Sequence, residues 1–152
     1  MIKILFVCHG NICRSPMAEF VMKDIVKKAG AADHFSISSV AARSDELGND
    51  MYPPVKKLLA AKHISFTPRA ARLFTLADYE NNDFIIVMDK ENEKDLMRYT
   101  GNDRAKKVSL LLSWCGEMRS VADPWYTDDY ETAYRDIRNG CSALFSKLTR
   151  EK

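Results

Sequence analysis

The sequence predicts an α/β domain of the doubly wound type, with a small, mostly parallel sheet and helices on both of its faces. Three observations predict it. Residues 2–7 and 84–88 are short apolar runs without alternation, the pattern of parallel strands buried on both faces. Stretches with apolar residues at helical spacing lie between and after these runs. No repeat, low-complexity tract or linker interrupts the order, so residues 1–152 read as one domain. Strands that alternate with helices pair in parallel, and such sheets bind ligands outside the carboxyl ends of their strands.

The elements follow in order. The first run stops at Cys8-His9-Gly10-Asn11. Ser15-Pro16 then reads as an N-cap followed by proline at the first helical position. The helix it opens carries Met17, Val21 and Ile25, with Met22, Val26 and Ala29, at helical spacing. Lys27 and Lys28 in its last turn and Gly30 beyond them predict its end. A weaker strand is predicted over residues 35–40, and Pro53-Pro54 opens a helix over residues 55–62. Residues 84–88 form the second clear strand, 90–99 a helix and 107–112 a further strand. In the last helix, Asp128 and Glu131 read as a capping pair. Tyr130, Ala133, Tyr134, Ile137, Cys141, Leu144, Phe145 and Leu148 then make one apolar stripe.

Composition narrows the function. With 46% hydrophobic and 29% charged residues, the chain falls among ordinary soluble globular proteins. The 23 basic and 21 acidic side chains leave a net charge of +2. That gives no global field for nucleic acid or an anionic membrane, so neither is expected as a partner. There is no export signal and no apolar run of membrane-spanning length, so a cytoplasmic protein is expected. In that reducing compartment Cys8, Cys13, Cys115 and Cys141 read as free thiols rather than a disulfide framework. His9, His34 and His63 are scattered and make no ligand cluster, so no metal and no cofactor are expected.

The segment Cys8-His9-Gly10-Asn11-Ile12-Cys13-Arg14-Ser15 carries the chemistry. A strand-to-helix turn can aim successive backbone N–H groups inward and so bind phosphate or another oxyanion. The helix that follows adds the positive end of its dipole. Gly10 and Asn11 tolerate the positive φ of a tight turn, and Arg14 offers a planar fork of donors to phosphate oxygens. The same surroundings favour the thiolate form of Cys8, to which Ser15 can donate a hydrogen bond. A thiolate inside an oxyanion cradle is set up to attack phosphorus. Taken alone, Cys8 would read as a small buried hydrophobe at a strand end; the complete loop reverses that reading.

The longer string from Val7 to Glu19, Val-Cys-His-Gly-Asn-Ile-Cys-Arg-Ser-Pro-Met-Ala-Glu, resembles the low-molecular-weight protein tyrosine phosphatases. The resemblance implies a four-stranded sheet with the phosphate-binding loop after the first strand. It also implies hydrolysis of phosphotyrosine in proteins or peptides, with Cys8 as nucleophile and Arg14 stabilising the transition state. It points to Asp123, before Pro124, as general acid and base, with Trp125 and Tyr126 walling a slot for a phenyl ring. Without the Cys8 loop, Asp123-Pro124 would read only as a turn into the last helix, and one of the two aromatics as core. Asp89 matches the family pattern. Cys13 reads either as buried filler or, by the resemblance, as a reversible disulfide partner of Cys8.

Two departures bear on substrate. Asp45 and Glu46 stand at the pocket mouth where the family carries an aromatic, and Thr67-Pro68-Arg69 replaces a histidine that supports the loop. The acids would also suit a guanidinium, so a protein-arginine phosphatase is an alternative; Ile12, Trp125 and Tyr126 favour phosphotyrosine. An arsenate reductase of this fold would need two further cysteines a few residues apart, but Cys115 and Cys141 are widely separated. A non-hydrolytic phosphocysteine carrier would lack Arg14 and the late Asp-Pro pair.

Overall fold

In the computed structural model, which describes residues 1–150, four parallel strands form one sheet in the order β2-β1-β3-β4. They are β1 (Ile2–Cys8), β2 (Phe35–Ala41), β3 (Phe84–Val87) and β4 (Val108–Leu110). The apolar run of β1 has a simple cause. Ile4 and Phe6 enter a core on one face, and Leu5 and Val7 enter a second core on the other. The first core is closed by α1 (Arg14–Lys28), α2 (Pro53–Ala61) and α6 (Tyr130–Arg150), through Met17, Val21, Val55, Leu59, Ile137 and Leu144. The second holds Tyr79 from α3 (Leu76–Asn81) and Leu96 from α4 (Lys90–Thr100). Helices thus cover both faces, as the doubly wound reading required, and every strand pair is parallel.

Several boundaries differ from expectation. α1 begins before Ser15: Cys13 is its N-cap, without a side-chain cap bond, and Pro16 is its third residue. The missing N–H of Pro16 still falls in the first turn, where amides have no intrahelical acceptor. The C-terminal end holds as expected. Gly30 has φ +71° and bonds to Lys27 O at 3.0 Å, while Ala31 N bonds to Val26 O at 2.8 Å, which satisfies the last carbonyls.

β4 is shorter than the predicted strand. From Leu111 to Cys115 the chain tightens into a 3-10 turn that carries buried Leu111 towards α6. There Gly140 receives it so closely that a Cβ would lie 2.5 Å from Leu111 Cγ. The cap of α6 is Asp129 rather than Asp128, accepting from Thr132 N at 3.0 Å and Thr132 Oγ1 at 2.7 Å. Asp128 instead ends the short helix α5 (Pro124–Thr127) with φ +58°, and Glu131 pairs with Lys62 at 2.6 Å. α3 was not foreseen, although Thr75 and Asp78 form a reciprocal capping box at its start.

Candidate active site

β2 lies on one side of β1 and β3 on the other, so the connections out of these carboxyl ends diverge and leave a crevice. Cys8 ends β1 at that crevice, and residues 9–13 turn the chain into α1. Asn11 takes the left-handed conformation the turn needs, with φ +61°; Gly10 does not. Gly10 serves by its lack of bulk, since a Cβ there would meet Glu46 Cγ at 3.2 Å. Among the described residues, the backbone N–H groups of Gly10, Asn11, Ile12 and Cys13 donate to no protein acceptor. Backbone donors are rarely left so, and donors in a loop at a helix N-terminus suit an anion.

Arg14, 2% exposed, holds the crevice together. Its Nη1 donates to Asp89 Oδ2 at 2.8 Å and to Val121 O at 2.9 Å, and its Nη2 to Asp123 Oδ2 at 3.3 Å. Asp89, two residues beyond β3, caps α4, so the guanidinium links the start of α1 to the segments that follow β3 and β4. Burial works against its charge, but Cys8, Asp123 and Asp89 outweigh that and hold its pKa above the usual arginine value.

Cys8 is buried, with its Sγ 3.0 Å from Ser15 Oγ. Asn11 Nδ2 donates to Ser15 Oγ at 2.8 Å and to Ser39 Oγ at 3.0 Å, and Ser39 donates to Glu19 at 2.6 Å. Arg69 donates to the Asn11 side-chain oxygen. Cys13 faces the same cleft. Burial pushes its thiol up to about 12, helped by nearby Cys8 and Asp123, so at neutral pH it is a protonated thiol.

The cleft above Cys8 has a volume of about 270 Å³. His9, Gly10, Ile12, Cys13 and Arg14 line it, together with Asp45, Glu46, Asp123, Trp125 and Tyr126. Of the loop residues expected to hold phosphate, Asn11 and Ser15 lie beneath it, fully buried. Asp123 is fixed by Trp125 N, which donates to its Oδ1 at 3.0 Å. Neither aromatic is core: Trp125 is half exposed and leans edge-on against Tyr52 with ring centroids 5.1 Å apart, and Tyr126 is exposed. At the rim, Asp45 Oδ2 lies 2.5 Å from His9 Nε2, and Glu46 accepts from Asn49 at 2.7 Å.

The sequence reading missed Ser39, Tyr52 and Val121 at this site, and saw at Arg69 only a lost histidine. Val121 acts through its carbonyl, which leaves no mark on residue type. Tyr52, just before Pro53-Pro54, carried a visible signal as an aromatic at a loop end.

A family model described as "Low molecular weight phosphotyrosine protein phosphatase" matches residues 3–152. The chain belongs to that family. A Bacillus subtilis low molecular weight protein-tyrosine-phosphatase, YfkJ, is 34% identical over 154 residues, covering 100% of this chain and 99% of the relative. Its crystal structure superposes with a TM-score of 0.96, covering 97% of that chain. A low molecular weight protein tyrosine phosphatase from Streptococcus pyogenes is 38% identical, with a TM-score of 0.88 over 97% of this chain and 93% of the other. A drosophila arginine phosphatase is 27% identical, with a TM-score of 0.88 over 97% of this chain and 98% of the other. The low molecular weight phosphatase fold therefore accounts for the four-stranded sheet and the loop after β1.

Proposed function

We propose that the protein hydrolyses phosphotyrosine in proteins or peptides by way of a phosphocysteine. The observation that carries the reading is the joint placement of Cys8, Arg14 and Asp123 on one cleft, with Arg14 Nη2 3.3 Å from the Asp123 carboxylate. Phosphate binds the loop amides and Arg14. The Cys8 thiolate attacks phosphorus, an S–P bond forms and the P–O bond to the phenol breaks. Arg14 and the amides stabilise the equatorial oxygens. Protonated Asp123 gives its proton to the leaving oxygen. As carboxylate it then takes a proton from the water that attacks phosphorus, which releases phosphate and restores the thiolate.

Ile12, Trp125 and Tyr126 support an aromatic substrate, since they make an apolar wall for a phenyl ring. A protein-arginine phosphatase is the second reading, favoured by Asp45 and Glu46 on the cleft and by the drosophila relative. Both acids already have partners, in His9 and Asn49, which favours phosphotyrosine. The deciding experiment compares kcat/KM for phosphotyrosine and phosphoarginine peptides; preference for phosphoarginine overturns the first reading.

In this scheme Arg14 and the amides supply the positive charge, so turnover is expected to persist in chelator. A reducing, cytoplasmic setting suits it, because the nucleophile must stay a free thiol. Among the described residues, no helix is long and apolar enough to cross a membrane.

A further inference from the structure

We propose that Arg69 is a positioning residue, acting through Asn11 to turn the Ser15 hydroxyl hydrogen onto the Cys8 sulfur. The inference rests on the reading of Cys8 as the nucleophile. It follows from which groups can donate and which can only accept. A guanidinium has donors only, so the Asn11 oxygen that Arg69 contacts must be the acceptor end of the amide. Arg72 N–H donates to the same oxygen at 3.4 Å. The Asn11 amide nitrogen is thereby turned to Ser15 and Ser39, and both hydroxyls must accept from it. Ser39 passes its own hydrogen to the Glu19 carboxylate. Ser15 is left with two acceptors, Cys8 Sγ at 3.0 Å and Val40 O at 3.5 Å, and the sulfur is the nearer.

The direction of the network is thus set at its ends by a pure donor, Arg69, and a carboxylate, Glu19. Asn11 and Ser15 are fully buried, so bulk water cannot take over a lost partner. Without Arg69, only the long Arg72 N–H contact at 3.4 Å and the bond to Ser39 oppose a flip of the Asn11 amide. Its oxygen would then claim the Ser15 hydrogen and leave the sulfur without a donor. Arg69 itself is held by Asn49 O at 3.3 Å, and its backbone N–H bonds to Asp50.

The test measures the rate at which iodoacetamide alkylates Cys8 at pH 7, located by mass spectrometry, and the Ki of inorganic phosphate. Arg69→Met is expected to slow alkylation about tenfold, the worth of one hydrogen bond to a charged group. Arg69→Lys, which keeps a donor, is expected to restore most of the rate. In a Ser15→Ala background, Arg69→Met should add nothing. Phosphate Ki should stay within about twofold of wild type, because Arg14 and the loop amides remain. Effects of Arg69→Met and Ser15→Ala that multiply would overturn the proposal, as would unchanged alkylation in Arg69→Met or no rescue by lysine. Lost phosphate binding in Arg69→Met would make Arg69 merely structural and overturn it too. Should Arg69→Met fail to fold, Arg69→Gln, with one donor and one acceptor, must fall between wild type and Ser15→Ala; a wild-type rate overturns the proposal. Alkylation needs no substrate, so these outcomes are read independently of whether phosphotyrosine is hydrolysed.

Discussion

Asp89 Oδ2 lies 2.8 Å from Arg14 Nη1, and this contact ties the end of β3 to the first turn of α1. The same aspartate caps α4 through Asn92 N at 2.8 Å. The two duties separate by substitution. Asn is as good an N-cap as Asp, so Asp89→Asn keeps the cap and removes only the charge beside Arg14. Asp89→Ala removes both. Urea denaturation should find Asp89→Ala less stable than Asp89→Asn by about 1 kcal/mol, the usual worth of a cap. Both should lose kcat by about tenfold or more, because Arg14 is left free to tilt away from the loop.

Cys8→Ser should abolish turnover while phosphate or vanadate still binds, since the amides and Arg14 are untouched. Arg14→Ala should lose both turnover and binding. It also strands Asp89 and Asp123 without their shared partner, so its thermal midpoint should fall. Isothermal titration with phosphate separates the two variants. Tight phosphate binding by Arg14→Ala would remove this residue from anion recognition.

Asp123 is assigned the proton to the leaving group, and that role has a signature. Asp123→Ala should lower kcat/KM, which ends at formation of the phosphocysteine and so omits the later base step, by about 10²–10⁴-fold for phenyl phosphate, whose leaving oxygen needs a proton. For an activated aryl phosphate the loss should be much smaller. An equal loss across leaving groups would take Asp123 out of acid catalysis and leave it as a partner of Arg14 only.

Much of this is legible in the sequence, for identifiable reasons. β1 and β3 are legible because both faces of each strand meet apolar cores, so that residues 4–7 and 84–87 hold no polar side chain. The Cys8 loop was legible because Asn11, Arg14 and Ser15 each bear a chemistry that residue type reveals. α3 escaped because it is six residues long and buries only Asp78 and Tyr79, too few for a helical stripe. The start of α1 was misplaced because Ser15, a common cap by type, is recruited instead by the Cys8 sulfur and the Asn11 amide. Arg69 was read as a loss because a sequence shows the histidine that is missing, not the donor that stands in its place.

Cys13 and Cys141 give an alkaline test of the core. Burial raises both thiols above their ordinary value of 9.0, Cys13 to about 12. The unfolded chain gives up these protons near pH 9, whereas the folded chain keeps them. Between those limits the unfolded state binds fewer protons, so stability is full below pH 9 and falls as pH rises towards 12. The slope is at most about 1.4 kcal/mol per pH unit for each thiol. Urea midpoints at pH 8, 9 and 10 should decline, and Cys13→Ala should flatten the decline without removing it, because Cys141 remains. The same rise protects Cys13 from alkylation at pH 7, so iodoacetamide should label Cys8 well before Cys13. If both thiols react at one rate, Cys13 is not held protonated, and only the Cys141 share of the alkaline decline should remain.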